Sequence, residues 1–229
     1  MAVTKSSGNS QIKTVGILSP GDMGHAVGRL LRGHEIQVLT CLAGRSPRTK
    51  SLSEQAGITD VPTMEELVEQ SDLILSITVS EAVPKLCQQV ADAIGSTGTS
   101  LLFAECNAIS PQLSRQMEQV ISATGSRYVD ASIIGGPPRN SASPRFYLSG
   151  PHATEMEEMR ERGLDVRVIG QETGQASGIK MCYAAMTKGT AALFTELLMA
   201  AEMLGLSKDL LAEFQSSQPA VHQRMEGWL

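Results

Sequence analysis

The chain alternates short apolar runs with longer segments whose apolar residues recur at helical spacing. Short apolar runs between turn residues are typical of buried strands, and the periodic segments are typical of amphipathic helices. The runs predicted as strands are KTVGIL, EIQVLTCL, DLILSIT, SLLFAEC and SRYVDASII, and the clearest helix is DMGHAVGRLLRG. Because helices separate these strands, the pattern predicts an α/β fold with a doubly wound parallel sheet covered on both faces.

The pattern changes after Gly150. PHATEMEEMRERG predicts a charged helix and DVRVIG a short strand, before a long Ala/Met/Leu-rich helix from about Gly174 to Leu206 and another from about Lys208 to Gln215. We therefore predict a disordered leader over residues 1–12, an α/β domain over 13–172 and an all-α domain over 173–229. The long helix is apolar on too many sides to be covered by the residues after it, so we expect a homodimer that packs through it.

The overall charge argues against some classes of partner. The formal net charge is -5, so the composition does not indicate the concentrated basic face that binding to nucleic acid or an anionic membrane requires. No apolar run is long enough to span a bilayer. The four cysteines have no CxxC spacing, and the four histidines show no metal-ligand spacing, so we expect no metal site. The polar N-terminus does not resemble a signal peptide, which favours a cytoplasmic location.

The turn after the first strand differs at one position from a glycine-rich dinucleotide-binding turn. It reads Ser19-Pro20-Gly21-Asp22-Met23-Gly24, with serine in place of the first glycine. Gly21 would let the backbone approach a pyrophosphate, Gly24 would let the helix pack on the sheet, and the helix N-terminus would supply free N–H groups. Because residues before proline favour extended backbone, we expect Ser19 to form the turn without positive φ. A tight turn that binds no ligand is the alternative.

The end of the second strand bears on the choice of cofactor. An NAD site usually carries a carboxylate there to bind the ribose hydroxyls, whereas this chain reads LAGRSPRTK. Arg45 and Ser46 offer a cation and a hydroxyl for a 2′-phosphate, and the planar guanidinium of Arg45 suits both adenine stacking and phosphate pairing. The segment favours NADP(H) over NAD(H), with a solvated basic loop as the alternative.

Several segments, in order and spacing, resemble the β-hydroxyacid dehydrogenase superfamily, which includes 3-hydroxyisobutyrate and 6-phosphogluconate dehydrogenases. They are VGILSPGDMGHAVGRLL, GRS, LILSITVSEAV, AECNAISPQ, YVDASIIGG and GQASGIKMCYAAMTKG, and the last is similar to a branch with an uncharacterised phosphogluconate-dehydrogenase-like C-terminal domain. The resemblance implies a Rossmann-type NAD(P)-binding domain, a long interdomain helix and a helical C-terminal domain. Family members carry more helices after the long one, so the helical domain is expected to be incomplete.

The resemblance also implies roles for individual residues. Thr78 and Val79 match the loop beside the nicotinamide ribose, and Asn107 matches a polar position on the cofactor side. Gly135 and Gly136 match a pair whose backbone amides hold the substrate carboxylate.

Two positions depart from the family pattern. Ile134 stands where a serine usually precedes the glycine pair, and Ala184 stands where an asparagine helps to bind substrate. These departures put the usual hydroxyacid substrate in question.

Lys180 matches the family's catalytic lysine, and its position is chemically reasonable. A lysine partly buried on an apolar helix can serve as acid and base for the substrate oxygen, and Tyr183, one turn on, shares its face. The alternatives are a surface lysine and a core tyrosine. The prediction is an NADP(H)-dependent oxidoreductase acting on a small hydroxyacid, carbonyl or imine. The alternative is an NADP(H)-binding protein without turnover.

Overall fold

The computed structural model describes residues 12–138 and 143–226. Within these residues one sheet contains eight strands: β1 Thr14–Leu18, β2 Gln37–Thr40, β3 Thr59–Asp60, β4 Leu73–Ser76, β5 Leu102–Glu105, β6 Arg127–Ile134, β7 Arg145–Ser149 and β8 Asp165–Gly170. Their order across the sheet is β3-β2-β1-β4-β5-β6-β7-β8. The first six strands in this order, β3, β2, β1, β4, β5 and β6, are mutually parallel, so their carboxyl ends meet at one edge of the sheet.

Helices connect these parallel strands. They are α1 Asp22–Arg32, α2 Pro47–Ala56, α3 Met64–Gln70, α4 Val83–Thr97 and α5 Pro111–Ser122. Ser46, Thr63 and Ser110 begin α2, α3 and α5, because each side-chain oxygen accepts a backbone N–H from the first turn. The five predicted buried strands correspond to β1, β2, β4, β5 and β6, and the short strand predicted at DVRVIG corresponds to β8.

Apolar clusters cover both faces of the sheet, as the pattern predicted. On β1, Ile17 packs in one cluster with Leu31 of α1, whereas the next residue, Leu18, packs in the other with Val90 of α4. Successive strand residues point to opposite faces, so one fully buried strand contributes to two cores. The doubly wound arrangement is confirmed.

The direction of the last two strands differs from the prediction. RFYLS forms β7, which the pattern did not identify, and β7 runs antiparallel to β6 while β8 pairs parallel to β7. The connection over residues 135–144 is shorter than the dozen or more residues that a parallel crossover needs. The chain therefore reverses, and β7 begins at the edge where β6 ends.

Two further expectations change in this part of the chain. The segment predicted as a charged α-helix forms a 3-10 helix over Ala153–Arg160. Of the predicted leader, residues 1–11 lie outside the described residues, and Ile12 is buried in the core with its N–H donating to Glu158.

The C-terminal part consists of helices joined by short connections. Helix α6 Gln175–Ala184 continues through a π-helical segment, Ala185–Gly189, into α7 Thr190–Met203, and α8 Ser207–Ser217 and α9 Pro219–Glu226 follow. The pattern predicted α8 and missed α9. The chain divides into two compact units, one ending at Lys180 and the other beginning at Met181, somewhat beyond the predicted boundary at 172.

The second unit combines a small aromatic cluster with exposed apolar side chains. Phe214 of α8 contacts Phe194 of α7 and His222 of α9, with ring centroids 5.8 Å and 6.4 Å apart. Met186 and Met203 are nevertheless 73% and 88% exposed. Within the described part of the chain, no helix is both long enough and apolar enough to cross a membrane.

Candidate functional site: a cleft at the carboxyl edge of the sheet

The turn between β1 and α1 opens at the carboxyl edge of the sheet. The N–H of Gly21 donates to the Ser19 carbonyl at 2.7 Å, which closes a tight turn around Pro20. Ser19 has φ of 63°, so the expectation that it avoids positive φ is wrong. The short turn requires the left-handed conformation that a glycine usually supplies, and the serine adopts it despite the steric cost.

Gly21 and Gly24 have different surroundings. A Cβ at Gly24 would lie 3.1 Å from the Ser19 carbonyl oxygen and 3.2 Å from Ile17, so Gly24 allows α1 to pack against β1. A Cβ at Gly21 would meet nothing nearer than 4.0 Å, so the space in front of this residue is open. The turn therefore has a packed glycine behind it and an accessible backbone at the start of α1. This arrangement suits a pyrophosphate.

Asp22 and Arg48 join the starts of α1 and α2. Arg48 donates to the Asp22 carboxylate at 2.6 Å, and both side chains are mostly exposed. This hydrogen bond and the carboxylate charge raise the pKa of Arg48. Because Arg48 pairs with it, the negative charge of Asp22 beside the turn is balanced by a positive charge.

Arg45 lies in a cleft of about 730 Å³. Gly44 and Cys41 line the cleft from the β2–α2 loop, and Lys85 and Gln89 line it from α4. The half-buried guanidinium of Arg45 has no hydrogen-bond or ion-pair partner among the described residues. Ser46 does not line this cleft. It is the N-cap of α2, and its hydroxyl accepts the N–H of Thr49.

A second cleft, of about 420 Å³, contains Lys180. Its lining includes Met23, Thr78, Val79, Asn107, Gly135 and Lys180. These residues come from α1, from the segments after β4, β5 and β6, and from the middle of α6. The structure thus brings together five residues that the sequence assigned to cofactor or substrate with the predicted acid/base.

Asn107 braces this cleft from inside. Its Oδ1 accepts the N–H of Thr78 at 2.7 Å, and its Nδ2 donates to the carbonyl of Ser76 at 2.9 Å. The side chain is 5% exposed. These bonds occupy the amide within the protein, so Asn107 holds the loop after β4 in place.

Glu105 supports Asn107, and sequence reasoning missed it. Its Oε1 accepts both the backbone N–H of Asn107, at 3.0 Å, and the side-chain amide of Asn107. The carboxyl is fully buried, and desolvation raises its pKa to about 7. A single charged residue in the apolar run SLLFAEC was the signal available in the sequence.

Lys180 is half-buried in this cleft and has polar and apolar neighbours. Burial raises the pKa of the nearby Cys106 thiol, and the positive charge of Lys180 opposes that shift. Cys106 lines the cleft together with Lys180, so the lysine contributes a positive charge to this open cleft.

The other predicted substrate residues lie in an adjoining cleft. Ile134, Gly135 and Gly136 line a space of about 340 Å³ that also contains Arg145, and Gly135 lines both clefts. Gly135 has φ of 126°, a conformation that favours glycine, whereas Ile134 is buried and offers no polar side chain. Tyr183 belongs to the second unit and is 46% exposed.

A second carboxylate that the sequence did not single out is Asp130 of β6. It is fully buried and accepts hydrogen bonds from α5, β7 and the start of α6. In the described ranges, no group of three His, Cys, Asp or Glu side chains is arranged to hold a metal ion.

The sheet order, the turn before α1 and the two clefts at the carboxyl edge define a Rossmann-type dinucleotide-binding protein. Residues 14–163 match the family described as the NAD binding domain of 6-phosphogluconate dehydrogenase, and the chain belongs to that family. A nicotinamide nucleotide is therefore the class of cofactor that this domain binds.

Known proteins agree with this assignment. The chain is 26% identical over 214 residues to mitochondrial 3-hydroxyisobutyrate dehydrogenase of Drosophila melanogaster, covering 90% of this chain and 63% of the fly enzyme. It thus spans less than two thirds of that relative. A conserved protein of unknown function, described as structurally similar to 3-hydroxyacid dehydrogenases, is 28% identical with a TM-score of 0.76, over 92% of this chain and 78% of that one.

An imine reductase from Myxococcus stipitatus has the same fold. In its complex with NADP+, the reductase is 22% identical in sequence to this chain and superimposes on it with a TM-score of 0.69, over 92% of this chain and 73% of the reductase. A variant of this reductase in complex with NAD+ is 20% identical to this chain with a TM-score of 0.71, over 93% of this chain and 74% of the variant.

Proposed function

We propose that this protein is an NADP(H)-dependent oxidoreductase that transfers hydride between the nicotinamide and a small hydroxyacid, carbonyl or imine. The observation that carries the proposal is the Lys180 cleft. It places a half-buried lysine beside the loops after β4, β5 and β6, at the edge where this fold binds its nucleotide.

The residues present fit a dinucleotide along this edge. The open backbone at Gly21 and the start of α1 suit the pyrophosphate, the Arg45 cleft suits the adenosine half, and Thr78 and Val79 suit the nicotinamide ribose. When bound, the cofactor supplies or accepts the hydride. The protein supplies the position of the reactants and the proton.

The preference for NADP(H) rests on Arg45. This guanidinium faces a cleft and has no partner in the described part of the chain, whereas Arg48 is already paired with Asp22. A 2′-phosphate would give Arg45 a charge-assisted, bidentate partner. A ribose hydroxyl would not, and the β2–α2 loop contributes no carboxylate to the cleft; the carboxylates that line it, Glu65 and Asp92, come from α3 and α4.

Lys180 completes the chemistry. In the reductive direction the carbonyl carbon gains hydride, the carbon–oxygen π electrons move to oxygen, and the Lys180 ammonium stabilises and then protonates that oxygen. In the oxidative direction the neutral amine accepts the hydroxyl proton as hydride leaves the carbon. The N–H groups of Gly135 and Gly136 are available to a substrate carboxylate.

The second candidate is an NADP(H)-binding protein without turnover. Ile134 and Ala184 favour it, because both replace polar side chains that the family resemblance assigns to substrate. A cofactor site can remain intact when substrate contacts are missing, so this alternative predicts tight cofactor binding and no reaction.

The test compares Lys180→Ala with Lys188→Ala, a matched lysine further along the same helical stretch. Small 2-keto and 3-keto acids, semialdehydes and cyclic imines are screened by NADPH absorbance. We expect Lys180→Ala to lose about 10²–10⁴-fold in rate while its NADPH affinity, measured by calorimetry, stays within twofold of wild type. Lys188→Ala should remain near wild type. Full turnover in Lys180→Ala would remove the lysine from the mechanism, and an inert panel with tight NADPH binding favours the second candidate.

A further inference from the structure

Asp130 satisfies the N-terminus of α6 from a distant strand. Its Oδ2 accepts the backbone N–H groups of Gly174 at 2.8 Å and Ser177 at 3.0 Å, and the hydroxyl of Ser149 at 2.9 Å. The same Ser149 oxygen accepts the N–H of Ala176 at 2.9 Å. These are N–H groups that a helix cannot satisfy within itself, and here β6 and β7 provide their acceptors.

The other carboxylate oxygen of Asp130 links two helices. Oδ1 accepts the hydroxyl of Ser177 in α6 at 2.6 Å and the hydroxyl of Ser114 in α5 at 3.0 Å. Asp130, Ser114, Ser149 and Ser177 are all fully buried. A buried carboxylate with five donors has little freedom, so it restricts both the rotation and the axial position of the first turn of α6.

Lys180 lies one helical turn after Ser177. Gly135, which lines the cleft with Lys180, follows the end of β6, the strand that carries Asp130. Strand β6 therefore leads into the turn with Gly135 at its end, and from its middle Asp130 holds the first turn of α6, the helix that carries Lys180. The separation of Gly135 and Lys180 depends on this connection.

We propose that Asp130 is a positioning residue for the reaction: through Ser177 it sets the place of Lys180 relative to Gly135 in the cleft. The proposal rests on the function proposed above, in which Lys180 transfers the proton. Asp130 does not reach the cleft lining, so its contribution is to orientation rather than to proton transfer.

Ser177→Ala and Ser114→Ala form a matched pair for the test. Each removes one buried hydroxyl from the same oxygen of Asp130, but only Ser177 belongs to the helix that carries Lys180. Ser114 also hydrogen-bonds the buried Tyr128 hydroxyl at 3.0 Å, so Ser114→Ala should lose at least as much unfolding free energy in urea as Ser177→Ala. We expect kcat to fall about tenfold or more in Ser177→Ala and to stay within twofold in Ser114→Ala, with NADPH affinity unchanged in both.

A second readout needs no substrate. Reductive methylation with ¹³C-formaldehyde labels the lysines, and the Lys180 resonance is the one that Lys180→Ala lacks. We expect this resonance to shift in Ser177→Ala and to keep its wild-type position in Ser114→Ala. Equal behaviour of the two serine variants in both readouts would overturn the positioning role. Turnover that survives Lys180→Ala would instead refute the proposed function, so the two failures are distinguishable.

Discussion

Glu105→Gln tests whether the folded protein raises the pKa of the buried Glu105 carboxyl. The carboxyl lies at the end of β5, fully buried, where it accepts two hydrogen bonds from Asn107, and the Cys87 thiol lies 4.0 Å from its other oxygen. Desolvation is the main cause that raises its pKa from 4.5 to about 7, and the nearby Asp130 charge adds to it. Glutamine keeps the size and the acceptor oxygen but cannot titrate.

The direction in which stability changes with pH follows from the pKa of Glu105 in the unfolded chain, 4.5, and in the folded chain, about 7. Between pH 4.5 and 7 the unfolded chain releases the Glu105 proton while the folded chain keeps it, so stability falls as pH rises through this interval. Below the interval both states are protonated and no penalty exists. Above it the penalty is constant at about 3 kcal/mol, because one pKa unit corresponds to about 1.4 kcal/mol.

The assay is urea unfolding of wild type and Glu105→Gln at pH 5 and at pH 8. Relative to the variant, wild type should lose about 2 to 3 kcal/mol of unfolding free energy between these values. Glu54→Gln, at an exposed position in α2, is the control and should follow wild type at both pH values. Parallel pH dependence of Glu105→Gln and wild type would show that the folded protein does not hold this carboxyl protonated, and would refute the reasoning.

Three further outcomes are expected. Arg45→Ala should weaken NADPH binding by about 1.5 to 3 kcal/mol in calorimetry while leaving NADH unchanged, with the paired Arg48 mutated to Ala as the milder control; equal losses for both cofactors would argue against a 2′-phosphate contact. Ser19→Gly should raise the unfolding free energy by about 0.5 to 1 kcal/mol, because glycine accepts positive φ at lower cost, and an unchanged urea midpoint would contradict this. The exposed apolar residues of α7 should pair two copies, so light scattering should give twice the 24.4 kDa chain mass, and Leu197→Glu should dissociate the dimer; a wild-type monomer at micromolar concentration would count against it.

Local patterns in the sequence determined the framework of the α/β unit. The apolar runs predicted five buried strands, and the helical spacing after the first of them predicted α1 in the correct place. These features depend on neighbouring residues, because strand and helix periodicity follow from which side chains must face the core. The positions of Gly21, Gly24 and Arg45 were identifiable for the same reason, since each follows a predicted strand or begins a predicted helix. Lys180 was identified by its match to the catalytic lysine of the family that the chain resembles.

The tertiary structure decided what depends on residues far apart in the chain. RFYLS carries no mark of its direction, and only the short connection after β6 makes it antiparallel. Ser19 takes positive φ because the closed turn requires it, against the local preference of a residue before proline. Glu105 and Asp130 read as isolated charges within apolar runs. Their roles exist only once the folded sheet removes them from water and brings to each carboxylate the N–H and O–H donors that compensate for its burial.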